Sequence, residues 1–250
     1  MSALTLLGAL SAGAFIGAVL GFIGAGGAML SVPILIYLFN FTPHHASTAA
    51  LPIVFAAAAA GSISKFKSKD VLIKEATAIW ALGLVTNIGG AVISHHLSDT
   101  TILTGFALVL FLSGGSMLIK PIADNPEKKM SPAILLLVSL VIGSMTGIFG
   151  IGGGFLAIPV LVLFFHTPQN KAAGTSLVII ALNCFTAFIA RFSTWHEISW
   201  GIPLAIALSA ILVARFASRA SSRVSQSTLR KAFAFLLFGI ALFTIFHAHG

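Results

Sequence analysis

Apolar runs long enough to cross a membrane fill most of this 250-residue chain. Only 8% of the residues are charged and the mean hydropathy is +1.05, whereas a soluble domain carries about 25% charged residues. Most runs hold roughly 17–20 residues, which matches the length of a helix that spans ~30 Å of hydrocarbon. They lie at about 4–39, 46–64, 76–94, 101–119, 132–165, 172–190, 201–217 and 228–246. We therefore predict a polytopic, all-α membrane protein.

Two of the runs, 4–39 and 132–165, are too long for a single membrane span. The first would make a helix of about 54 Å at about 1.5 Å per residue. Glycines interrupt both runs near the middle, as GAGG at residues 24–27 and as GIGGG at residues 150–154. We predict that each run folds back on itself there, as two short passes or as a re-entrant hairpin.

The two broken runs are copies of one another at an offset of 126 residues. The repeated residues are Gly21, Gly24, Gly26, Gly27, Leu30, Pro33, Leu35 and Phe39 in the first copy, and Gly147, Gly150, Gly152, Gly153, Leu156, Pro159, Leu161 and Phe165 in the second. The chain is therefore predicted to consist of two related halves, residues 1–122 and 123–250. The polar stretch Lys120–Pro132 links them.

The distribution of charge predicts how the halves are oriented. If both broken runs fold back, 13 of the 14 Lys and Arg residues share one side, which positive charge identifies as cytoplasmic. Arg191 alone lies on the other side. It either attracts anions to an outer vestibule or pairs with Glu197, and we expect the pairing. Each half then crosses an odd number of times, so we predict inverted repeats, each a glycine-broken hairpin plus three transmembrane helices. The predicted location is the bacterial cell inner membrane.

Residues 24–33 and 150–159 resemble the paired signature of the TauE/SafE sulfite exporter family. Residues 173–177 resemble the motif that follows it in the second half, and the resemblance extends over nearly the whole chain. It implies a membrane transporter of sulfur-containing anions such as sulfite and organosulfonates. The first half departs from the pattern, because it has Thr-Ala-Ala at 48–50 where the second half has Gly-Thr-Ser at 174–176.

The glycine breaks are the predicted binding site for the anion. Free N–H groups at the start of a helix carry partial positive charge and suit an oxyanion, and broken helices of inverted repeats meet at the substrate site of transporters. No Lys or Arg lies deep within an apolar run, so backbone groups and neutral side chains must hold the substrate. The predicted substrate-binding residues are Gly24, Gly26, Gly27, Gly150, Gly152, Gly153, Gly154, Thr175, Ser176 and Asn183.

Other small and polar residues have simpler predicted roles. Glycines at intervals of four let membrane helices pack closely, and we expect this of Gly13, Gly17 and Gly21 and of Gly143 and Gly147. For the broken segments themselves, close packing is the alternative to ligand binding. Asn87 is expected to form a hydrogen bond between helices.

The predicted function is a secondary transporter of sulfite or organosulfonate type that works by alternating access. The alternative is a divalent metal-cation permease that uses the histidine pairs His44–His45 and His95–His96 on the outer side; a non-transporting scaffold or sensor is a third. We expect no enzyme, because no histidine and no pair of carboxylates lies within a span. No cofactor, resident metal or nucleic acid is expected. The sequence leaves open which anion is carried, in which direction, whether a proton is coupled to it and whether the protein forms a homodimer.

Overall fold

A computed structural model of the protein describes residues 2–118, 131–163, 165–221 and 225–249. The predicted link Lys120–Pro132, with the boundary between the halves, lies almost wholly outside them. The helices of the described part are α1 Ala3–Ile23, α2 Gly27–Phe39, α3 Pro43–Lys67, α4 Ile73–Ser94, α5 Asp99–Leu118, α6 Pro132–Phe149, α7 Gly154–Leu163, α8 Gln169–Ala190, a 3₁₀ helix at Phe192–Glu197, α9 Gly201–Ala220 and α10 Gln226–His249. Eight of them are long and apolar enough to span a membrane. The polytopic, all-α prediction is confirmed.

The outward faces of these helices are apolar. Val85 is 77% exposed and Phe235 is 67% exposed, and both lie within predicted spans. Exposed apolar surface of this extent is rare on soluble proteins and is the surface that lipid chains require.

Helices α1 and α6 end in the same way, at a glycine in the left-handed region of backbone conformation. Gly24 has φ of 83° and Gly150 has φ of 71°. Each donates its N–H to a carbonyl four residues back, Leu20 or Thr146, and so closes the last turn. A side chain at either position would strain the backbone, because only glycine enters this region freely.

After each glycine the chain folds back along the helix it has just left. Gly27, the first residue of α2, lies against Leu20 of α1. Gly153, immediately before α7, lies against Ile142 and Thr146 of α6. The two predicted hairpins are confirmed.

Helices α3 and α8 form the centre of the molecule. In these two spans 72% and 67% of the residues are buried, whereas the share is 44% or less in each of the other six described spans. They run antiparallel, because Lys65 near the end of α3 lies against Gly174 near the start of α8. We call this end of the pair the basic end. The opposite end, where α3 begins and α4 and α8 finish, we call the histidine end.

The helices of the two predicted halves are interleaved. Helix α1 packs on α9 and α6 packs on α4; α9 also contacts α3, and α4 contacts α8. Helices α5 and α10 pack on each other. Each contact between the halves therefore has a counterpart in which the equivalent helices have changed places, as expected of a repeat. The inversion of one half relative to the other stays a prediction.

The glycine stripes are packing surfaces, as predicted. Gly13, Gly17 and Gly21 lie against the backbone of α9, and Gly143 and Gly147 lie against the backbone of α4. A Cβ at any of these positions would overlap a backbone carbonyl oxygen of the neighbouring helix. The two crossings are therefore set at the closest approach that two helices can make.

We expect Gly17→Ala to lower the unfolding temperature and Gly89→Ala to leave it unchanged or raise it. An added Cβ at Gly17 lies 2.5 Å from the carbonyl oxygen of Ala210, whereas nothing lies within 4 Å of one at Gly89. Overpacking of this kind costs about 1–3 kcal/mol. Thermal unfolding in detergent, followed with a thiol-reactive dye on the single, buried Cys184, measures it. Equal shifts in both variants would contradict the packing role.

Candidate functional site

Both glycine-broken segments contact α8. Gly24 lies against Ala173, near the basic end, whereas Gly152 lies against Ile180 and Cys184. Ala173 and Ile180 are two turns apart, about 10 Å along the helix axis. The structure therefore brings the two predicted halves of the site onto one central helix.

The predicted glycines are all sterically required. A Cβ would come within 3.0 Å of a neighbouring atom at each of the seven positions. The neighbours include the ring of Phe233 at Gly26, the carbonyl oxygen of Ser47 at Gly150 and the side chain of Ile180 at Gly154. The broken segments are thus held in close contact with α3, α8 and α10.

The hydroxyl groups predicted to bind substrate are buried and bonded within the protein. Ser176 donates from Oγ to the carbonyl oxygen of Gly154 at 2.8 Å, which ties α8 to the first residue of α7. Thr175 donates from Oγ1 to the carbonyl oxygen of Lys171 and accepts from the N–H of Leu72 at 3.0 Å. Ser176 therefore lies at the predicted site, while Thr175 faces the loop before α4.

Asn87 and Asn183 bind each other in the buried contact between α4 and α8. Nδ2 of Asn87 donates to Oδ1 of Asn183 at 2.9 Å and to its carbonyl oxygen at 3.0 Å. Nδ2 of Asn183 donates to the carbonyl oxygen of Ile179. The predicted interhelical bond of Asn87 is confirmed, and its partner is the residue expected to contact substrate.

The predicted pairing of Arg191 with Glu197 is wrong. Arg191 is 1% exposed and turns inward from the end of α8. Nη1 donates to Oγ of Ser47 at 2.6 Å and to Oγ1 of Thr48 at 3.0 Å, both on α3. Nη2 donates to the carbonyl oxygens of residues 147 and 148 in the last turn of α6. These carbonyls have no partner within their own helix, so they need the donors that the guanidinium supplies.

Arg191 is a buried cation without a carboxylate. No Asp or Glu of the described residues forms an ion pair with it, and its Nε has no hydrogen-bond partner there. The partial negative charge at the end of α6 offsets only part of its charge. Lys65 is likewise buried, at 5% exposure. Both residues lie at the end of a central helix and not deep within a span, as expected, but their burial was not predicted.

A cavity of about 350 Å³ opens at the histidine end beside this guanidinium. Thr48, which accepts from Arg191, also lines the cavity. The rings of His44 and His95 are nearly parallel, at an interplanar angle of 5°, with centroids 6.4 Å apart. Nε2 of His45 is 3.3 Å from Oε2 of Glu197, the carboxylate that sequence reasoning gave to Arg191. The cavity thus combines imidazoles, hydroxyls and the carboxylates of Asp99 and Glu197 beside a buried positive charge.

The pKa of His95 is lowered from its ordinary value. Burial is the largest cause, followed by the positive charges of Arg191, His44 and His96, while Glu197 opposes the shift. His95 is therefore neutral at neutral pH and gains a proton only under more acidic conditions than an ordinary histidine.

The histidine pairs do not form a metal site in the described part of the chain, where no three His, Cys, Asp or Glu side chains converge. Adjacent histidines separate, because His44 faces His95 and Asp99 while His45 faces Glu197. This arrangement gives the metal-permease alternative no support.

A family model described as "Sulfite exporter TauE/SafE" matches residues 9–244. The chain belongs to this family. Its relatives include a probable membrane transporter protein of Xylella fastidiosa, 26% identical, with 99% of this chain and 98% of the relative covered. Two others are a probable membrane transporter protein of Bacillus subtilis, YunE (24% identical; 87% and 89% covered), and one of Methanocaldococcus jannaschii (26% identical; 92% of both). No solved structure matches. As a TauE/SafE family member, the protein is a multi-pass membrane transporter.

The burial of Arg191 in this TauE/SafE protein was not predicted, although the sequence held a signal. Arg191 lies 126 residues after Lys65, the same offset that relates Gly24 to Gly150. A basic residue at equivalent positions of the two repeats suggests equivalent surroundings, which a count of loop charges does not reveal.

We expect Arg191→Met to lower the stability of the folded protein and Glu197→Gln to leave it nearly unchanged. The first variant leaves two buried carbonyls of α6 without a donor, at a cost on the order of 2 kcal/mol. The second removes only the charge of an exposed group at the histidine cavity. Thermal unfolding in detergent compares them, and a larger loss for Glu197→Gln would restore the ion pair predicted from sequence.

Proposed function

We propose that this protein is a secondary transporter of small sulfur-containing anions, of the sulfite or organosulfonate type, working by alternating access. The family description supplies the substrate class. The observation that carries the proposal is Arg191, a buried guanidinium with no carboxylate partner among the described residues. An anion that enters the cavity beside it gains the attraction of a charge that the protein already holds out of water.

The substrate is held at the starts of the half-helices α2 and α7, after the glycine breaks. N–H groups at a helix start suit an oxyanion. Neighbouring helices fill the space beside these glycines, so they must move apart before an anion reaches the backbone. Gly24, Gly26 and Gly27 supply one half of this site, and residues 150–154 supply the other. The hydroxyl of Ser176, at the start of α7, is the nearest of the predicted side-chain contacts.

The cavities at the two ends of the α3–α8 pair support alternating access. One of about 350 Å³ opens at the histidine end and one of about 430 Å³ at the basic end. Helices α3 and α8 pack against each other between them. A shift of the α6–α7 hairpin against α3 and α8 would break the bonds of Arg191 and Ser176 and connect the glycine site to one cavity at a time.

The protein is placed in the bacterial inner membrane with its basic end in the cytoplasm, according to the positive-inside rule. It performs transport and no chemical conversion. A coupled proton would be carried by the histidines of the outer cavity, because histidine is the side chain whose charge ordinarily changes near neutral pH.

Flux into proteoliposomes tests the substrate class. The panel is sulfite, methanesulfonate, sulfate, acetate and Zn²⁺, with protein-free vesicles as the control. We expect saturable movement of sulfite or methanesulfonate and none of Zn²⁺. Movement of Zn²⁺ alone, or no saturable anion flux, would overturn the proposal.

Ser176→Ala tests the half-helix site. Loss of one hydroxyl donor is expected to raise the half-saturating anion concentration about tenfold, the equivalent of one hydrogen bond to a charged ligand. Ser139→Ala is the matched control, because Ser139 is equally buried and donates within its own helix, to Leu135. Equal half-saturating concentrations in the two variants would remove Ser176 from the site.

The lowered pKa of His95 predicts a pH dependence. Protonation adds positive charge near Arg191, so anion uptake from the histidine end should rise as the pH falls below the ordinary histidine value of about 6.5. The charged or titratable groups facing His95 are Arg191, His44, His96 and Glu197. Methanesulfonate is the substrate of choice, because its own charge does not change in this range. His95→Gln should flatten the acidic limb, and an unchanged profile would exclude His95.

A further inference from the structure

The cavity at the basic end is lined by cations and hydroxyls. Lys65, Lys67 and Arg219 contribute positive charge, and four serines contribute hydroxyl groups. Asp70 is the one carboxylate among its lining residues, and it already accepts a hydrogen bond from Ser68 at 2.7 Å. The four serine hydroxyls also donate within the protein, to carbonyl oxygens or to Asp70. The cavity therefore carries an excess of positive charge.

Lys65 is the buried cation of this cavity. Its Nζ donates to Oγ of Ser221 at 2.9 Å, across the contact between α3 and the end of α9. No carboxylate of the described residues lies in ion-pair contact with it. An ammonium group has three donors, and the remaining two have no described acceptor beside this cavity.

The repeat relates Lys65 to Arg191. Both lie at the end of a central helix, α3 or α8, and they are 126 residues apart, as are Gly24 and Gly150. Asn40 and His166, which follow α2 and α7 in the left-handed conformation, show the same offset. Each cation is buried, donates to serine or threonine hydroxyls of another helix and lies beside a cavity.

We propose that the Lys65 cavity is a second anion-binding site, at which the transported anion binds at the basic end before or after it passes the glycine segments. This inference rests on the proposed function. The ligand class is a small oxyanion with several oxygens around one centre. The ammonium of Lys65 and the guanidinium of Arg219 provide charged donors from two different helices, which such an anion requires.

The test compares uptake from the two sides of the membrane. Membrane vesicles with the basic end outside or inside, assigned by protease cleavage after Lys67 and Lys69, are placed in a medium that contains labelled sulfite. Lys65→Gln should raise the half-saturating concentration at the basic end about tenfold, the loss of one charged hydrogen bond, and change it little at the histidine end. Lys65→Arg should restore most of the affinity. Lys74→Gln, an exposed charge outside the cavity, is the control.

A second pair of variants leaves the buried contacts intact. Arg219→Gln removes an exposed charge that lines the cavity, whereas Arg215→Gln removes an exposed charge of the same helix that does not. Only the first should weaken sulfite uptake from the basic end. This pair decides the matter if Lys65→Gln does not fold, as judged by gel filtration in detergent.

The outcomes separate this inference from the proposed function. Equal effects of Lys65→Gln on both sides, or none, would overturn the second site while transport by the parent protein stands. Absence of sulfite and sulfonate flux in the parent protein would overturn both. Reconstitution in phosphatidylcholine alone, compared with added phosphatidylglycerol, distinguishes a lipid headgroup: an effect of the variant that requires phosphatidylglycerol would assign the cavity to lipid phosphate and overturn the inference.

Discussion

Hydrocarbon supplies no hydrogen bonds, so a helix that breaks inside a membrane must find partners for its backbone within the protein. The two glycine-broken segments depend on this constraint. Their left-handed glycines close the last turns of α1 and α6, and the central helices α3 and α8 shield the breaks from lipid. At the second break Arg191 adds the missing donors, because its guanidinium reaches two carbonyl oxygens at the end of α6 while it holds α3.

A buried cation lies at each end of the α3–α8 pair, and the two cations make different hydrogen bonds. At the histidine end a planar guanidinium bridges three helices through four hydrogen bonds. At the basic end an ammonium makes one described hydrogen bond, to Ser221. Arginine suits fixed, multiple contacts, and lysine keeps a compact charge on a flexible stem. Arg191 therefore acts more as a structural fastening, and Lys65 is freer to exchange its partner for a ligand.

Sequence reasoning predicted the features that depend on local pattern. The length of the apolar runs predicted the membrane spans, and the two overlong runs with central glycines predicted the hairpins. Glycines at intervals of four predicted that α1 and α6 pack closely on neighbouring helices. It failed where the answer depends on which helices meet. The partners of Arg191 lie 143 and 144 residues away on α3, and the partner of Asn183 lies 96 residues away on α4. A charged residue at the end of a span is expected to be solvated unless another helix covers it. The local sequence does not show which helix lies beside it.

The glycine stripe of α1 has a consequence for assembly. Its partner surface belongs to α9, which the ribosome completes long after α1 has entered the membrane. Until then the bare backbone of α1 faces lipid or a temporary neighbour, and the first hairpin lacks the helices that seal it. The glycine stripe of α6 can pack at once, because its partner α4 has already been synthesised when α6 inserts. The half that is synthesised first is therefore completed only by helices of the second, and a chain stopped before α9 would leave the glycine stripe of α1 without its partner.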